Sequence, residues 1–424
     1  MSDEQYHILD RDRLPAYLDG IDRVRVALGL ADVPVIDANH IAIDEIGDGN
    51  LNFVYRVSNA ADASKSVIVK QAVPYLRMVG EEWPLSRDRM TYEIRALTVY
   101  NEVVPDLVPE IYHADEAMSA LIMQCLDDHI ILRIGMNDGI VYPKVAEHIG
   151  LFMAETLFRT SAWSMTSEAR RELMDRFTMN AELCKLTEEF IFTFPYMEHD
   201  SNYSNPATNA WAREHIHTDT QYKLDVLAFK DLFVAKTDAL LHADLHTGSL
   251  MVNQEESYVI DMEFAYFGPF GFDVGKVISN FLMSCTSHYH RSGGADYRSW
   301  VIDQVAVIWN TFETRFLELW KSSGPSTMLI DGLLDEDEFA TLQSNFMRDL
   351  LREAAGFCAC SMARRTLGIA GVADIRDIED LEVRSTLEIT NLKLSKAIMA
   401  GRHELVAIED LQQLIRDFYE SQDL

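Results

Sequence analysis

Two short polar stretches carry the residues whose types and spacing suit catalysis. The first, residues 242–249, reads His-Ala-Asp-Leu-His-Thr-Gly-Ser, with Asp244 in a turn after an apolar run. The second follows another apolar run and places Asp261 and Glu263 two residues apart. An aspartate in such a turn can orient and deprotonate a hydroxyl, and a downstream carboxylate pair can hold the magnesium ion that bridges ATP phosphates. The spacing therefore predicts phosphoryl transfer, with Asp244 as the base and Asp261 and Glu263 as metal ligands.

Two other interpretations of the same residues stay open at this point. A single aspartate in a loop is commonly a turn residue or a helix cap. Alternatively, His242, Asp244 and His246 could form a metal-ligand cluster, as in metal-dependent hydrolases. The remaining histidines are scattered, and none forms a His-Glu-x-x-His pair. The kinase interpretation is therefore favoured over the hydrolase.

The elements that must position these residues begin with a predicted strand, turn and strand over residues 41–57. The turn is rich in Gly and Asn, and its backbone N–H groups can approach a phosphate closely because glycine has no Cβ. The next predicted strand, residues 66–72, carries Lys70, where a cation would reach the α- and β-phosphates. Alone, the turn would be an ordinary hairpin and Lys70 a solvated residue. Their order ahead of the Asp244 loop favours a nucleotide site.

Helical and strand patterns extend this arrangement along the chain. A helix over residues 87–100 offers Glu93 as a partner for Lys70, and a strand over 119–123 leads to the place of the kinase hinge. Further helices are predicted from their apolar spacing, at residues 14–28, 143–159, 277–287, 298–320, 336–370 and 381–418, with several more between 162 and 234. The prediction is an α+β, two-lobed, protein-kinase-like fold. An antiparallel sheet with a helix forms the N-lobe (1–125), and a mainly helical C-lobe follows (126–424).

Composition narrows the classes of partner. The chain has 424 residues, 48% of them hydrophobic, and a formal net charge of −31. Such an acidic surface repels nucleic acid and anionic membrane, so neither is expected as a partner. There are five cysteines without a Cys-x-x-Cys pair, a polar N-terminus without a signal pattern, and no apolar run of the ~18 residues that span a membrane. We therefore expect a cytoplasmic protein.

Six stretches also carry a resemblance to a known family. They are Glu45-Ile-Gly-Asp-Gly-Asn-Leu-Asn-Phe-Val-Tyr-Arg, Val69-Lys-Gln-Ala-Val-Pro-Tyr, Gly80-Glu-Glu-Trp-Pro-Leu, His242-Ala-Asp-Leu-His-Thr-Gly-Ser, Ile260-Asp-Met-Glu-Phe-Ala-Tyr-Phe-Gly-Pro-Phe-Gly-Phe-Asp-Val-Gly and Ala363-Arg-Arg-Thr-Leu-Gly. Together they resemble 5-methylthioribose kinase. The wider group of aminoglycoside and choline kinases would match only the Asp244 loop and a downstream acid.

The resemblance implies ATP-dependent phosphorylation of 5-methylthioribose at its anomeric hydroxyl, in methionine salvage, by a homodimer. It implies that Asp244 is the base and a substrate ligand, and that Asp261 and Glu263 hold Mg²⁺. The residues implied for ATP are Gly47, Gly49, Asn50, Asn52, Lys70, Glu93 and the hinge Gln124, Cys125 and Leu126. Those implied for the sugar and the phosphoryl group are Arg364 and Arg365, with Trp83 on a lid.

Some positions depart from the expected patterns. Ser249 stands where most kinases have a metal-binding Asn, the metal turn reads Asp-Met-Glu with Met262 in place of the family's Pro, and Gln124-Cys125 replaces acidic hinge residues. We expect Glu263 to supply the missing metal oxygen, because residues 261 and 263 would point the same way from an extended backbone.

The two adjacent arginines could act on one ligand only under a geometric condition. Arg364 and Arg365 would diverge by about 100° on a helix, so both reach one ligand only at a helix end or kink.

Two other functions remain: a sugar or amino-alcohol kinase of the same fold, and a catalytically silent nucleotide-binding protein. The silent protein is disfavoured because Lys70, Asp244, Asp261 and Glu263 are all present.

Overall fold

The computed structural model describes residues 6–46, 51–76, 80–202 and 205–422. The chain divides into two compact units, Met1–His129 with Tyr258–Ala265, and Ile130–Ser257 with Tyr266–Leu424. The segment Tyr258–Ala265, which carries both predicted metal ligands, thus groups with the first unit. The predicted boundary between the N-lobe (1–125) and the C-lobe (126–424) places this segment in the C-lobe instead. That boundary between functional lobes stays a prediction.

The first unit is built on a five-stranded antiparallel sheet with the order β1-β2-β3-β7-β6. Its elements are Leu14–Asp19 (α1), Asp22–Ala27 (α2), Ile41–Glu45 (β1), Asn52–Asn59 (β2), Ser66–Ala72 (β3), Tyr75–Leu76 (β4), Gly80–Pro84 (β5), Asp88–Val103 (α3), Ile111–Asp115 (β6) and Ala120–Gln124 (β7). Lys70 on β3 lies opposite Val54 on β2 and Leu121 on β7. The central position of β3 therefore fixes Lys70 inside the sheet.

An apolar core joins the sheet to the two N-terminal helices. Leu18 of α1 and Val24 of α2 are buried in one cluster with Val57, Val67 and Ile122 of the sheet. The sequence had predicted a single helix over 14–28, and this was wrong. The chain leaves helical geometry at Ile21, whose extended backbone begins α2. The apolar spacing continues through the break, so it could not reveal the interruption.

The second unit is mainly helical. Its strands are Ile130–Ile131 (β8), Ala239–Leu241 (β9), Leu250–Val252 (β10), Ser257–Val259 (β11, which runs on into the first unit) and Tyr266–Gly268 (β12). Its helices are Leu132–Asn137 (α4), Val145–Arg159 (α5), Ser167–Asp175 (α6), Ala181–Phe190 (α7), Pro206–His215 (α8), Thr220–Ala235 (α9), Gly271–Ser287 (α10), Gly294–Ser322 (α11), Glu336–Leu367 (α12), Ala373–Arg376 (α13), Leu381–Gly401 (α14) and Ile408–Glu420 (α15). None of the described helices is long and apolar enough to cross a bilayer.

Close helix packing places the start of α10 against residues 354–358 of α12. A Cβ on Gly275 of α10 would lie 2.3 Å from the carbonyl oxygen of Ala354 and 2.7 Å from the amide nitrogen of Cys358, both on α12. The predicted helix over 381–418 is two helices, because the backbone amides of Val406 and Ala407 donate to Asp410 and start α15 anew. The other predicted helices are present, with ends shifted by a few residues.

Candidate active site

A buried lysine joins two carboxylates in the first unit. Lys70 Nζ lies 2.7 Å from Glu93 Oε1 of α3 and 2.5 Å from Asp261 Oδ1. Burial alone would lower the pKa of Lys70, but the charges of Asp261, Glu93 and Glu263 outweigh burial and raise it. Burial also raises the pKa of Glu93 to about 7, against the opposing effect of Lys70. The structure thus provides the predicted lysine–glutamate pair.

Glu263 belongs to a second buried network in the same unit. Asn52 Nδ2 donates to Glu263 Oε2 at 2.9 Å, and Arg89 Nε donates to Asn52 Oδ1 at 3.0 Å. The guanidinium of Arg89 also donates to three backbone carbonyls, those of Leu51, Val73 and Ser86. Burial raises the pKa of Glu263. Asn52, predicted to hold phosphate, therefore has its side chain bonded to Arg89 and Glu263.

The turn between Asp261 and Glu263 differs from the expected extended backbone. Asp261 is left-handed, with φ 66° and ψ 54°, and Met262–Phe264 forms one turn of 3₁₀-helix. As a result, the side chain of Asp261 is 50% exposed and that of Glu263 is 9% exposed. A non-glycine residue in this region is uncommon. The sequence pattern carried no signal of it.

The fit of these carboxylates to a magnesium ion depends on how many protein ligands the ion needs. Among the described residues, no group of three or more His, Cys, Asp or Glu side chains is arranged to hold a metal. Magnesium that accompanies a nucleotide needs only one or two carboxylates, because phosphates and water complete its octahedral shell. Asp261 and Glu263 fit that requirement, with Asp261 the more exposed of the two. The alternative metal cluster of His242, Asp244 and His246 is likewise not arranged to hold a metal ion within the described residues.

In the second unit, three basic side chains surround Asp244. Lys276 of α10 forms an ion pair with its Oδ1, Arg365 Nη2 lies 3.5 Å from the same oxygen, and His246 Nε2 lies 3.3 Å from Oδ2. Burial alone would raise the pKa of Asp244, but Lys276, then His246 and Arg365, hold it well below its usual range. The Nδ1 atom of His246 accepts from the Gly248 amide, so the neutral ring carries its hydrogen on Nε2 and donates to Asp244. Asp244 is therefore an ionised carboxylate.

Neighbouring groups hold the backbone of the loop around Asp244. The carboxylate of Asp273 accepts hydrogen bonds from the amides of His242 and Ala243, at 2.8 and 2.9 Å. Ser249 Oγ lies 3.0 Å from the carbonyl of Asp244 and accepts from the amide of His246 at 2.9 Å. Ser249, at the position of the usual metal-binding Asn, therefore closes its own loop.

Both arginines of the predicted pair lie in the last turn of α12, which ends at Leu367. The expectation of a helix end is thus met. Arg365 reaches Asp244, whereas Nε and Nη1 of Arg364 are buried and have no hydrogen-bond partner within the described ranges. Burial lowers the pKa of Arg364. Leaving buried donors unsatisfied costs free energy, so Arg364 is a candidate for binding a ligand.

The remaining predicted residues are spread over the first unit. Trp83 lies on β5 with 43% of its surface exposed, and its place on a lid stays a prediction. Gln124 ends β7 and its amide donates to the Glu110 carbonyl, Cys125 Sγ contacts Asp127, and Leu126 is buried. Gly47, Gly49 and Asn50 lie outside the described residues. The structure therefore assembles two groups, one around Lys70 and one around Asp244.

Several residues in these groups were missed by sequence reasoning. Asp273 and Lys276 are three positions apart in an otherwise uncharged helix, and that pattern was the available signal. Arg133 donates from Nε to Thr247 Oγ1 at 3.2 Å and from Nη2 to Asn280 Oδ1 at 2.9 Å, and its Nε pairs with Asp374. Nothing in the sequence around Arg133 indicates this role.

Comparison with known proteins identifies the family. The model of the phosphotransferase enzyme family matches residues 42–301. Methylthioribose kinase 1 of Oryza sativa subsp. japonica is 36% identical over 422 residues, covering 97% of this chain and 95% of that protein. This chain belongs to the methylthioribose kinase family.

A second relative agrees with membership in the methylthioribose kinase family. Methylthioribose kinase of Geobacillus thermodenitrificans is 36% identical over 379 residues, covering 89% of this chain and 91% of that protein. The choline kinase of Cryptosporidium parvum Iowa II covers 95% of this chain and 99% of its own, at 11% identity and a TM-score of 0.47, and that likeness carries no functional assignment. The predicted α+β, kinase-like fold is confirmed by the family match.

Proposed function

We propose that this chain is an S-methyl-5-thioribose kinase, which transfers the γ-phosphoryl group of ATP to the anomeric hydroxyl of 5-methylthioribose. The product is 5-methylthioribose 1-phosphate, in methionine salvage. The observation that carries the proposal is the 36% identity to proteins named methylthioribose kinase over almost the full length of this chain. The aligned region spans both units.

In this proposal, Asp244 orients the acceptor hydroxyl and takes its proton. An anomeric hydroxyl is more acidic than an ordinary alcohol, and phosphoryl transfer passes through a loose transition state that demands little of the base. A carboxylate with a lowered pKa is therefore adequate, because it stays ionised and available as an acceptor. Position matters more than basicity for such a residue.

We assign the arginine pair to the charge that develops on the transferred group. An arginine placed in this way contributes ~10³–10⁵ in rate in some NTPases. The acceptor is a neutral sugar, so the unpartnered donors of Arg364 would find their anionic partner in the phosphoryl group during transfer. Arg365, which already contacts Asp244, would lie next to the attacking hydroxyl.

The nucleotide is proposed to bind through the first unit. Lys70, held by Glu93, would contact the α- and β-phosphates, together with Gly47, Gly49, Asn50 and Asn52. The hinge residues Gln124, Cys125 and Leu126 would contact adenine. Asp261 and Glu263 would hold Mg²⁺. When bound, the ion neutralises charge on the phosphate oxygens.

A kinase for a cationic amino-alcohol is the second candidate, and the charges around Asp244 argue against it. Such acceptors need acidic side chains near the base. Instead, Lys276, Arg364 and Arg365 contribute positive charge around Asp244. A neutral acceptor fits this environment better than a cation.

Two properties of the whole protein are also proposed. The five cysteines are all free, as expected in a reducing compartment such as the cytoplasm. Family resemblance leads us to propose a homodimer, and light scattering that returned the 48.3 kDa mass of one chain would rule it out.

The substrate assignment is tested with a panel of acceptors. Methylthioribose, ribose and an amino-alcohol are each incubated with ATP and Mg²⁺, and the position of the product phosphate is read by NMR. We expect the highest kcat/KM for methylthioribose. Ribose should lose about 10–200-fold, because its hydroxyl replaces apolar contact worth ~1–3 kcal/mol. If ribose or the amino-alcohol is phosphorylated better, only the general kinase function survives.

A further inference from the structure

The proposed reaction gives Lys276 no catalytic role, yet Lys276 makes the closest charged contact to Asp244. It lies on the second turn of α10, and Asp273 lies three residues before it on the same face of the helix. The ammonium group forms its ion pair with Oδ1 of Asp244 and donates to the carbonyl oxygen of Ala243 at 2.8 Å. Lys276 therefore contacts both the proposed base, Asp244, and the residue before it, Ala243.

The two charged residues of α10 hold Ala243 from opposite sides. Asp273 accepts from the amide of Ala243, and Lys276 donates to its carbonyl. Ala243 has a φ of 63°, which is unfavourable for a residue with a Cβ. Such a conformation persists only where the surroundings over-determine it. This pair of contacts supplies that constraint, and it fixes the direction in which Asp244 leaves the backbone.

We propose that Lys276 is a positioning residue for catalysis, whose charge holds the Asp244 carboxylate in the orientation and ionised form that accept the hydroxyl proton. The inference rests on the proposed function, in which Asp244 is the base. It goes further by assigning the control of that base to a charged residue of α10.

The electrostatic surroundings support a role for the charge itself. Burial lowers the pKa of Lys276 to about 8, with Asp244 opposing this effect and Arg364 and Arg365 adding to it. Keeping an ammonium buried near two guanidinium groups is costly, and a residue that only filled space would serve better without charge. The charged and titratable groups around the pair, from every neighbouring element, are Arg133, His242, His246, Asp273, Arg364, Arg365 and Asp374.

Two substitutions separate charge from packing. Lys276→Met keeps the length of the side chain and removes the charge, whereas Lys276→Arg keeps the charge at all working pH values. We expect Lys276→Met to lower kcat by about 10- to 100-fold with a smaller change in KM, because the base is misplaced while the substrate contacts remain. Lys276→Arg should recover part of that loss. Lys321→Met, on an exposed lysine of α11, is the matched control and should behave as the parent.

The pH profile of kcat/KM supplies a measurement that a purely structural role would not move. In Lys276→Met, the acid limb should shift to higher pH, because Asp244 loses the largest charge that lowers its pKa. In the parent, activity should fall as pH rises through about 8, where Lys276 loses its proton, and Lys276→Arg should move that limb upward.

Three results would contradict these assignments, two for Lys276 and one for Asp244. A folded Lys276→Met variant with the parent's acid limb overturns the proposal, even if its thermal stability falls. Should that variant fail to fold, an unmoved alkaline limb in Lys276→Arg overturns it instead. Turnover by Asp244→Asn would show separately that the base was misassigned, since that variant retains Lys276.

Discussion

At the scale of single residues, opposing effects set the state of Asp244. Burial favours the neutral acid, while Lys276, His246 and Arg365 favour the carboxylate and win. The folded pKa thus lies below the unfolded value. Ionised Asp244 therefore contributes stability that is present above the unfolded pKa and is lost as pH falls through the folded pKa. One group serves both the proposed chemistry and the cohesion of its loop.

Substitution of this carboxylate tests the proposed base. Asp244→Asn keeps the shape of the side chain but cannot accept the hydroxyl proton, so we expect turnover to fall by at least ~10²–10⁴-fold with ATP binding retained. Steady-state kinetics and calorimetric ATP titration measure the two quantities. Asp331→Asn makes the same chemical change on an exposed residue and should leave both unchanged. Near-parental turnover in folded Asp244→Asn would remove Asp244 from the role of base.

At the scale of elements, the contact between α10 and α12 positions the second-unit site. Lys276 follows Gly275 on α10, and the arginine pair lies in the last turn of α12. The absence of a side chain at Gly275 lets the two backbones approach, since its hydrogen faces the carbonyl of Ala354. Three cationic side chains from two helices can then lie near one carboxylate.

A methyl group at this contact should force the helices apart. In a helix interior, Gly→Ala gains ~0.5–1 kcal/mol in conformational preference, but overpacking against backbone costs ~1–3 kcal/mol or more. We therefore expect Gly275→Ala to lower the free energy of unfolding and to reduce kcat. Urea titration and activity assays measure these effects. Gly324→Ala is the control, because a Cβ there meets nothing within 4 Å; equal stability of the two variants would contradict the packing argument.

The sequence predicted elements well where the signal was local. The strand over 66–72 follows from its local pattern, and Glu93 as the partner of Lys70 follows from the order of the elements. A helix end was the condition for both arginines to reach one ligand, and both lie in the last turn of α12. The left-handed turn at Asp261 and the grip of Lys276 on Asp244 depend on contacts between distant segments. Periodicity cannot report such contacts, because it records only which face of an element is apolar. The assignment of Asn52 and the hinge to ATP stays a prediction.

At the scale of the whole molecule, the net negative charge affects how ATP approaches the protein. The chain carries 68 acidic against 37 basic residues. Such a field repels ATP at long range, while Lys70 acts only at short range because Glu93 and Asp261 already contact it. A neutral sugar experiences no comparable repulsion.

Ionic strength should therefore affect the two substrates differently. Raising the salt concentration from 0.01 to 0.15 M shortens the screening length from roughly 30 to 8 Å. We expect kcat/KM for ATP to rise over that range, while kcat/KM for methylthioribose at saturating ATP stays nearly constant. Initial rates in a series of chloride concentrations, at fixed free Mg²⁺, measure both. A fall in kcat/KM for ATP would mean that local positive charge dominates its approach.

The order in which the chain is synthesised gives the segment Tyr258–Ala265 a further importance. The first unit includes this segment, yet the whole stretch Ile130–Ser257 is translated in between. At ribosomal speeds of about 5–20 residues per second, that delay is on the order of ten seconds. Until then the chain lacks Asp261, which contacts Lys70 in the complete protein, and Glu263, which accepts a hydrogen bond from Asn52. The ion-pair network of the N-terminal sheet can therefore be completed only after the ribosome has added residues that follow the Asp244 loop.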